Sequence, residues 1–233
     1  MSRDNLLKQW LPETISLNPI GENADELWIE GFDKVYHNFF DSVMEIQKAD
    51  ISSLQGFGEL NENNQPQHET LQDFLTETFA DDKDNYWKNW KELFQTSLMT
   101  EEFFETYYEK MLQYSRYCEK QRFLVNNNLF FGNMVQTGQG VGFLDWSRVA
   151  VTDWLLDFAC MDLHRPYFMI PEKLVAYLSE KNIAVENFKE RFLCMAYYKG
   201  LDVLRWHASI DDEASCKTIM QSIRELEDRI LSL

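Results

Sequence analysis

The stretch from Arg122 to Trp146 constrains this chain most, because it interrupts a helical pattern with strand and turn chemistry in a set order. Phe123-Leu124-Val125 is an apolar triplet expected as a short strand, and Asn126 to Gly132 follows as a loop. Asn133 to Gln136 reads as another strand. Thr137-Gly138-Gln139-Gly140 supplies turn residues, and Val141 to Leu144 returns as the second arm of a hairpin. The run Gly138-Gln139-Gly140-Val141-Gly142 lacks the spacing of a phosphate-cradling loop, so its glycines are assigned to the turn.

Helices are expected on both sides. From Asp25 to Gln47 the apolar residues Leu27, Phe32, Val35, Phe39, Val43 and Ile46 recur at steps of three and four, an amphipathic helix. Helical patterns resume over Thr70 to Phe79 and Asn85 to Phe94. Thr100, followed by Glu101 and Glu102, caps a longer helix reaching about Cys118, with Phe103, Tyr107, Met111 and Tyr114 along one stripe. Beyond the hairpin, helices are expected over Thr152 to His164, Pro171 to Glu180, Val185 to His207 and Asp212 to Leu231. Gln55 to His68, rich in Gly, Asn and Gln, reads as a polar loop. Residues 1–24 read as a short helix around Leu6 to Trp10 and a linker, leaving residues 25–233 as one domain. The expected fold class is mainly α with a small β-hairpin element.

Composition narrows the function. Acidic residues outnumber basic ones, 39 to 22, for a formal net charge of −17. That field repels nucleic-acid phosphates and anionic lipid, so neither nucleic acid nor membrane is an expected partner. Four cysteines, Cys118, Cys160, Cys194 and Cys216, show no metal-type spacing; Cys160 and Cys194 are expected as reduced core residues. With no secretory signal and no apolar run of membrane length, the expected location is the cytoplasm.

The chemistry lies at the ends of the β element. Phosphoryl transfer by kinases places a base and a metal-binding Asn on one loop, four residues apart, and a metal-binding Asp after a hairpin. Asn128-Leu129-Phe130-Phe131-Gly132-Asn133 has the first spacing, and Asp145 ends the return strand in Gly142-Phe143-Leu144-Asp145-Trp146.

In this order of motifs the chain resembles the aminoglycoside phosphotransferases, most closely their hygromycin-B-phosphotransferase-like branch. That family typically shows a strand, His-Gly-Asp, a loop ending in Asn, a hairpin and Ile-Asp-Trp. Here Val125-Asn126-Asn127-Asn128 leads to Asn133, and Phe143-Leu144-Asp145-Trp146 follows. Thr152-Asp153 and Leu156-Asp157-Phe158-Ala159 come next at the family's distance. The resemblance extends from about Asp25 to Arg205.

It implies the C-terminal lobe of a kinase-like fold, with Mg²⁺ and ATP as cofactors. Asn133 and Asp145 are the implied cofactor-binding residues and metal ligands. Asp153 and Asp157 match positions that brace the catalytic loop or border the acceptor. The family's His-Gly-Asp is replaced by Asn126-Asn127-Asn128, so Asn128 stands at the catalytic aspartate's position. An amide has neither the charge nor the basicity to activate a hydroxyl. Nor does a glycine-rich loop with a strand lysine precede this region, so the N-terminal lobe is expected to be missing.

Three functions follow. The first is a catalytically impaired kinase-like protein that binds a small-molecule ligand or a protein partner, a second copy of itself included. The second is a phosphotransferase acting on a hydroxyl of a cationic, aminoglycoside-like molecule. The third is an acidic partner-binding or immunity-type protein on the same scaffold. His37, His68, His164 and His207 show no spacing for a metal or a nucleophile pair, and the helical surface charges read as a solvated face.

Overall fold

The computed structural model describes residues 15–16, 24–81, 85–137 and 140–233. The expected helix around Leu6 to Trp10, most of the linker, and Gly138-Gln139 at the hairpin tip lie outside them. Eight α-helices and seven short strands are assigned within this set: β1 (Ile15–Ser16), α1 (Ala24–Ile46), β2 (Phe57–Leu60), β3 (Pro66–His68), α2 (Leu71–Thr78), α3 (Leu93–Thr96), α4 (Glu101–Ser115), β4 (Phe123–Val125), β5 (Met134–Thr137), β6 (Gly140–Phe143), β7 (Ala150–Thr152), α5 (Leu155–His164), α6 (Ile170–Glu180), α7 (Phe188–Ser209) and α8 (Glu213–Ser232). None of the described helices is long and apolar enough to cross a membrane.

Helices α2, α4 and α8 start where a side chain satisfies a free N–H group. Thr70 accepts from Asp73 N at 3.1 Å, Thr100 from Phe103 N at 3.2 Å, and Asp212 from Ser215 N at 3.1 Å. The stripe on α1 buries Phe32, Phe39, Phe40 and Val43. Phe40 meets Phe158 of α5 edge-on at 5.2 Å and Tyr177 of α6 at 5.3 Å. Helix α7 runs through the middle, packed by α4, α5 and α8. Gly200 permits its approach to α8, since a Cβ there would lie 2.7 Å from Ile223 Cδ1. All four cysteines are buried and free.

Two antiparallel sheets interrupt the helices, in the orders β1-β5-β6 and β3-β2-β7-β4. The hairpin β5–β6 is present, with Met134 opposite Phe143. In the second sheet Val125 pairs with Ala150 and Gly58 with Val151. That pairing sets the end of β4, which leads into Asn126, beside the chain entering α5.

Several boundaries differ from expectation. The polar loop Gln55 to His68 contains β2 and β3, entered through Gly56 at φ 83°, where a Cβ would come 2.1 Å from His68 O. Asn85 to Phe94 is not one helix. Asn89 takes a left-handed conformation at φ 58°, and a 3₁₀ turn over Trp90–Glu92 leads into the short α3. Helix α4 ends at Ser115 rather than Cys118, and Thr152 closes β7 instead of opening α5. Ile15–Ser16, expected in a linker, pairs with Gln136 and Val135 of β5.

Candidate functional site

The three consecutive asparagines form a tight turn off β4, and each amide does different work. Asn126 Oδ1 accepts from Asn128 N at 3.1 Å, a local side-chain turn, while its Nδ2 donates to Leu144 O and Asp145 O, both at 3.3 Å. Asn127 holds φ at 59°, which asparagine tolerates better than most residues. This is the middle position of the triplet, where the family pattern has glycine, the residue most tolerant of positive φ. Asn126 and Asn127 are fully buried.

Asp157, one turn into α5, braces this loop. Its Oδ2 accepts from Asn126 N at 2.9 Å and its Oδ1 from Asn127 N at 2.8 Å. Burial pushes its carboxyl up to about 6, opposed by those two N–H groups and by Lys199. Lys199 Nζ donates to Asn127 O at 2.7 Å from the other side. Asp153 sits elsewhere: it is completely buried in a two-pronged pair with Arg191, at 2.7 and 3.0 Å, and does not line the cavity described below.

Asn128, Asn133 and Asp145 are brought together. Asn128 Nδ2 donates to Asp145 Oδ2 at 3.0 Å, and Asn133 Nδ2 donates to Asn128 O at 2.9 Å. Asp145 Oδ1 accepts from the Ser147 hydroxyl at 2.6 Å and from Ser147 N at 3.3 Å. A divalent cation needs oxygen ligands turned toward it. Here an amide N–H points at one oxygen of the only carboxylate among the three and a hydroxyl at the other, while Asn133, its nitrogen bonded to Asn128 O, has its amide oxygen as the remaining ligand atom. Among the described residues no group of three or more His, Cys, Asp or Glu converges on a metal position. The three side chains are held together by their own hydrogen bonds, and Asn133 Oδ1 with the Asp145 carboxylate are the atoms that would hold Mg²⁺.

Next to Asn128 opens a cavity of about 740 Å³ between the loop and α7. Phe130, Trp87, Val203 and Trp206 supply apolar walls, and His164 and His207 line it as well. His164 Nδ1 faces Cys160 O at 2.8 Å, and burial holds its pKa below the usual histidine range. Nδ1 therefore carries the proton, leaving Nε2 as an acceptor. The floor is an ionic network. Arg148 reaches Glu59 at 2.7 Å and Asp202 at 2.8 Å, and Asp202 also pairs with Arg205 at 3.1 Å and lies 3.7 Å from Lys199. These cations hold the Asp202 carboxyl well below the usual carboxylate range against the cost of its burial.

Sequence reasoning missed this network. Lys199, Asp202 and Arg205 recur every third residue on α7, where helical charge is ordinarily expected on a solvated face, yet all three are buried. Their signal was charge set inside an otherwise apolar helix. Nothing local marked Glu59 or Arg148, and His164 and His207, expected to be ordinary, line the cavity.

No family model matches the sequence, and no curated protein matches it. Solved structures match in fold. Aminoglycoside phosphotransferase APH(4)-Ia is 17% identical at a TM-score of 0.69, over 93% of this chain and 69% of that one. A thermostable mutant of the same enzyme in a ternary complex with ADP and hygromycin B gives 17% and 0.70, over 93% and 69%. A ternary complex with AMP-PNP and hygromycin B gives 18% and 0.68, over 88% and 67%. The chain therefore has the kinase-like fold of an aminoglycoside phosphotransferase, across about two thirds of that enzyme's length.

Proposed function

We propose that this chain is a ligand-binding or partner-binding protein on a kinase-like scaffold, with phosphoryl transfer disabled at Asn128. One observation carries this: the Asn128 amide donates to Asp145 at 3.0 Å. A catalytic aspartate in that place would accept a proton and present negative charge. The amide instead donates a hydrogen bond to its neighbour and brings neither basicity nor negative charge. The positive φ at Asn127 and the brace from Asp157 support a loop kept for its shape.

Nucleotide is one ligand to test, because the similar structures are complexes with ADP and AMP-PNP. The proximity of Asn133 and Asp145 favours a second reading, an active Mg²⁺-dependent phosphotransferase. Calorimetry with ATP and Mg²⁺, alongside phosphate release, separates the two on wild type and Asn128→Asp. The expected result is no steady turnover in wild type, with any turnover confined to Asn128→Asp. Loss of a positioned base costs about 10²- to 10⁴-fold in rate. Steady Mg²⁺-dependent turnover by the wild type, abolished by Asp145→Ala, would establish the second reading instead.

A further inference from the structure

The cavity beside Asn128 has a charge balance unlike that of the whole chain. The protein carries −17 overall, yet the ionic side chains lining the cavity are Glu59 and Asp202 against Arg148 and Lys199, which cancel. Both carboxylates are already shared with cations. Glu59 Oε1 accepts from Arg148 Nε at 2.9 Å and from Asn127 Nδ2 at 3.1 Å, while Asp202 is shared among three cations. A polycationic ligand would meet no net negative charge here and would add to the three cations already gathered around Asp202. The catalytic-loop carboxylate that would add negative charge here is replaced by Asn128.

What the cavity does offer is aromatic surface. Phe130 lies near parallel to His164, with ring centres 6.1 Å apart and an interplanar angle of 27°. Gly132 makes room for that ring, since a Cβ there would lie 2.7 Å from Phe130 Cε2. Trp87 is held by the Arg205 guanidinium, 3.9 Å from its ring centre, so it is presented without being mobile. Trp206 remains 48% exposed and Phe130 36%, although both are large and apolar. Aromatic walls joined to a few fixed polar groups are the make-up of a small-molecule site.

We infer that this cavity takes a planar aromatic small molecule, neutral or singly anionic, and does not take a polycation. The assignment rests on the binding reading above and names its ligand class. Arg148 gives three of its five N–H groups to Glu59 and Asp202, which leaves two donors for an anionic substituent, and His164 Nε2 is an acceptor for a ring N–H or hydroxyl.

The test uses the full chain and pyrene-1-sulfonate, a planar aromatic monoanion, followed by fluorescence. Hygromycin B serves as the polycationic competitor. Trp206→Ala and Phe130→Ala remove half-exposed rings, and Val175→Asp alters a separate apolar groove beside α6 as a control for dye bound elsewhere. The expected outcome is a tenfold or greater weakening in Trp206→Ala and in Phe130→Ala, none in Val175→Asp, and no displacement by hygromycin B. Unchanged dye affinity in both ring variants overturns the inference, as does displacement by hygromycin B at comparable concentration. Phosphate release is measured separately. Turnover by wild type defeats the preceding reading, and the dye titration still decides the ligand class.

Discussion

Asn128 and Asp145 are joined by one hydrogen bond at 3.0 Å, and that contact is a test of charge. Changing Asn128→Asp sets two carboxylates side by side, which raises the pKa of the pair and disfavours its doubly ionised form. A raised folded-state pKa gives stability that is present at low pH and lost as pH rises. The variant should therefore match wild type near about pH 4 and be less stable by about 1–2 kcal/mol at neutral pH. A divalent cation should restore the loss in the variant and leave wild type unmoved, as read by thermal melts with and without Mg²⁺ or Ca²⁺. Asp157 allows a second test. Its folded pKa of about 6 lies above the ordinary 3.8, so its contribution is full below about pH 4 and declines as pH rises through 6, by about 3 kcal/mol. Asp157→Asn should flatten that part of the stability profile. It should also cost about 2 kcal/mol at neutral pH, because an amide can accept from only one of the two backbone N–H groups with its oxygen. Chemical denaturation between about pH 4 and pH 7 on both proteins gives the comparison.

At the scale of elements, the buried pair Asp153–Arg191 ties the entry of α5 to the first turn of α7. Both side chains are within the core, so the pair is costly to break from one side and less so from both. Arg191→Met alone should destabilise by about 3–5 kcal/mol, since it strands a carboxylate; adding Asp153→Leu should recover most of that. Urea unfolding of the two single variants and the double variant measures the coupling. The same elements show where sequence was readable. Periodicity and apolar content located α1, α2, α4 and the four helices after the hairpin to within a few residues, because each buries apolar side chains against the core, and α2, α4 and α8 also start at a side-chain cap. The strands β2, β3 and β7 had no such signal. Gly56-Phe57-Gly58 and the Asn-rich run after it look like a loop, and become strands only because β7 lies beside β2.

For the whole molecule the dominant quantity is the charge of −17. Self-repulsion in so acidic a chain is screened by salt, so the melting temperature should rise by roughly a few degrees between low salt and about 0.5 M NaCl. A flat response in calorimetric scans would show that the ionic networks offset that repulsion. Much of the site was legible locally: Asn128, Asn133 and Asp145 were placed together by spacing alone, because one loop and one hairpin carry all three. Asp157 was assigned a hydrogen-bonding role from its apolar neighbours, though its partners were not visible. The sequence by itself determined the helices, the hairpin and the three consecutive amides at Asn126, Asn127 and Asn128, since periodicity, turn residues and residue identity are local properties. Only the tertiary structure decided that Asn128 turns its amide onto Asp145 and that Arg148 occupies Glu59 and Asp202. It also decided that Trp87, Phe130 and Trp206 share one cavity. Those contacts join residues tens of positions apart, and close packing of α7 against the sheet and the loop is what brings them within reach.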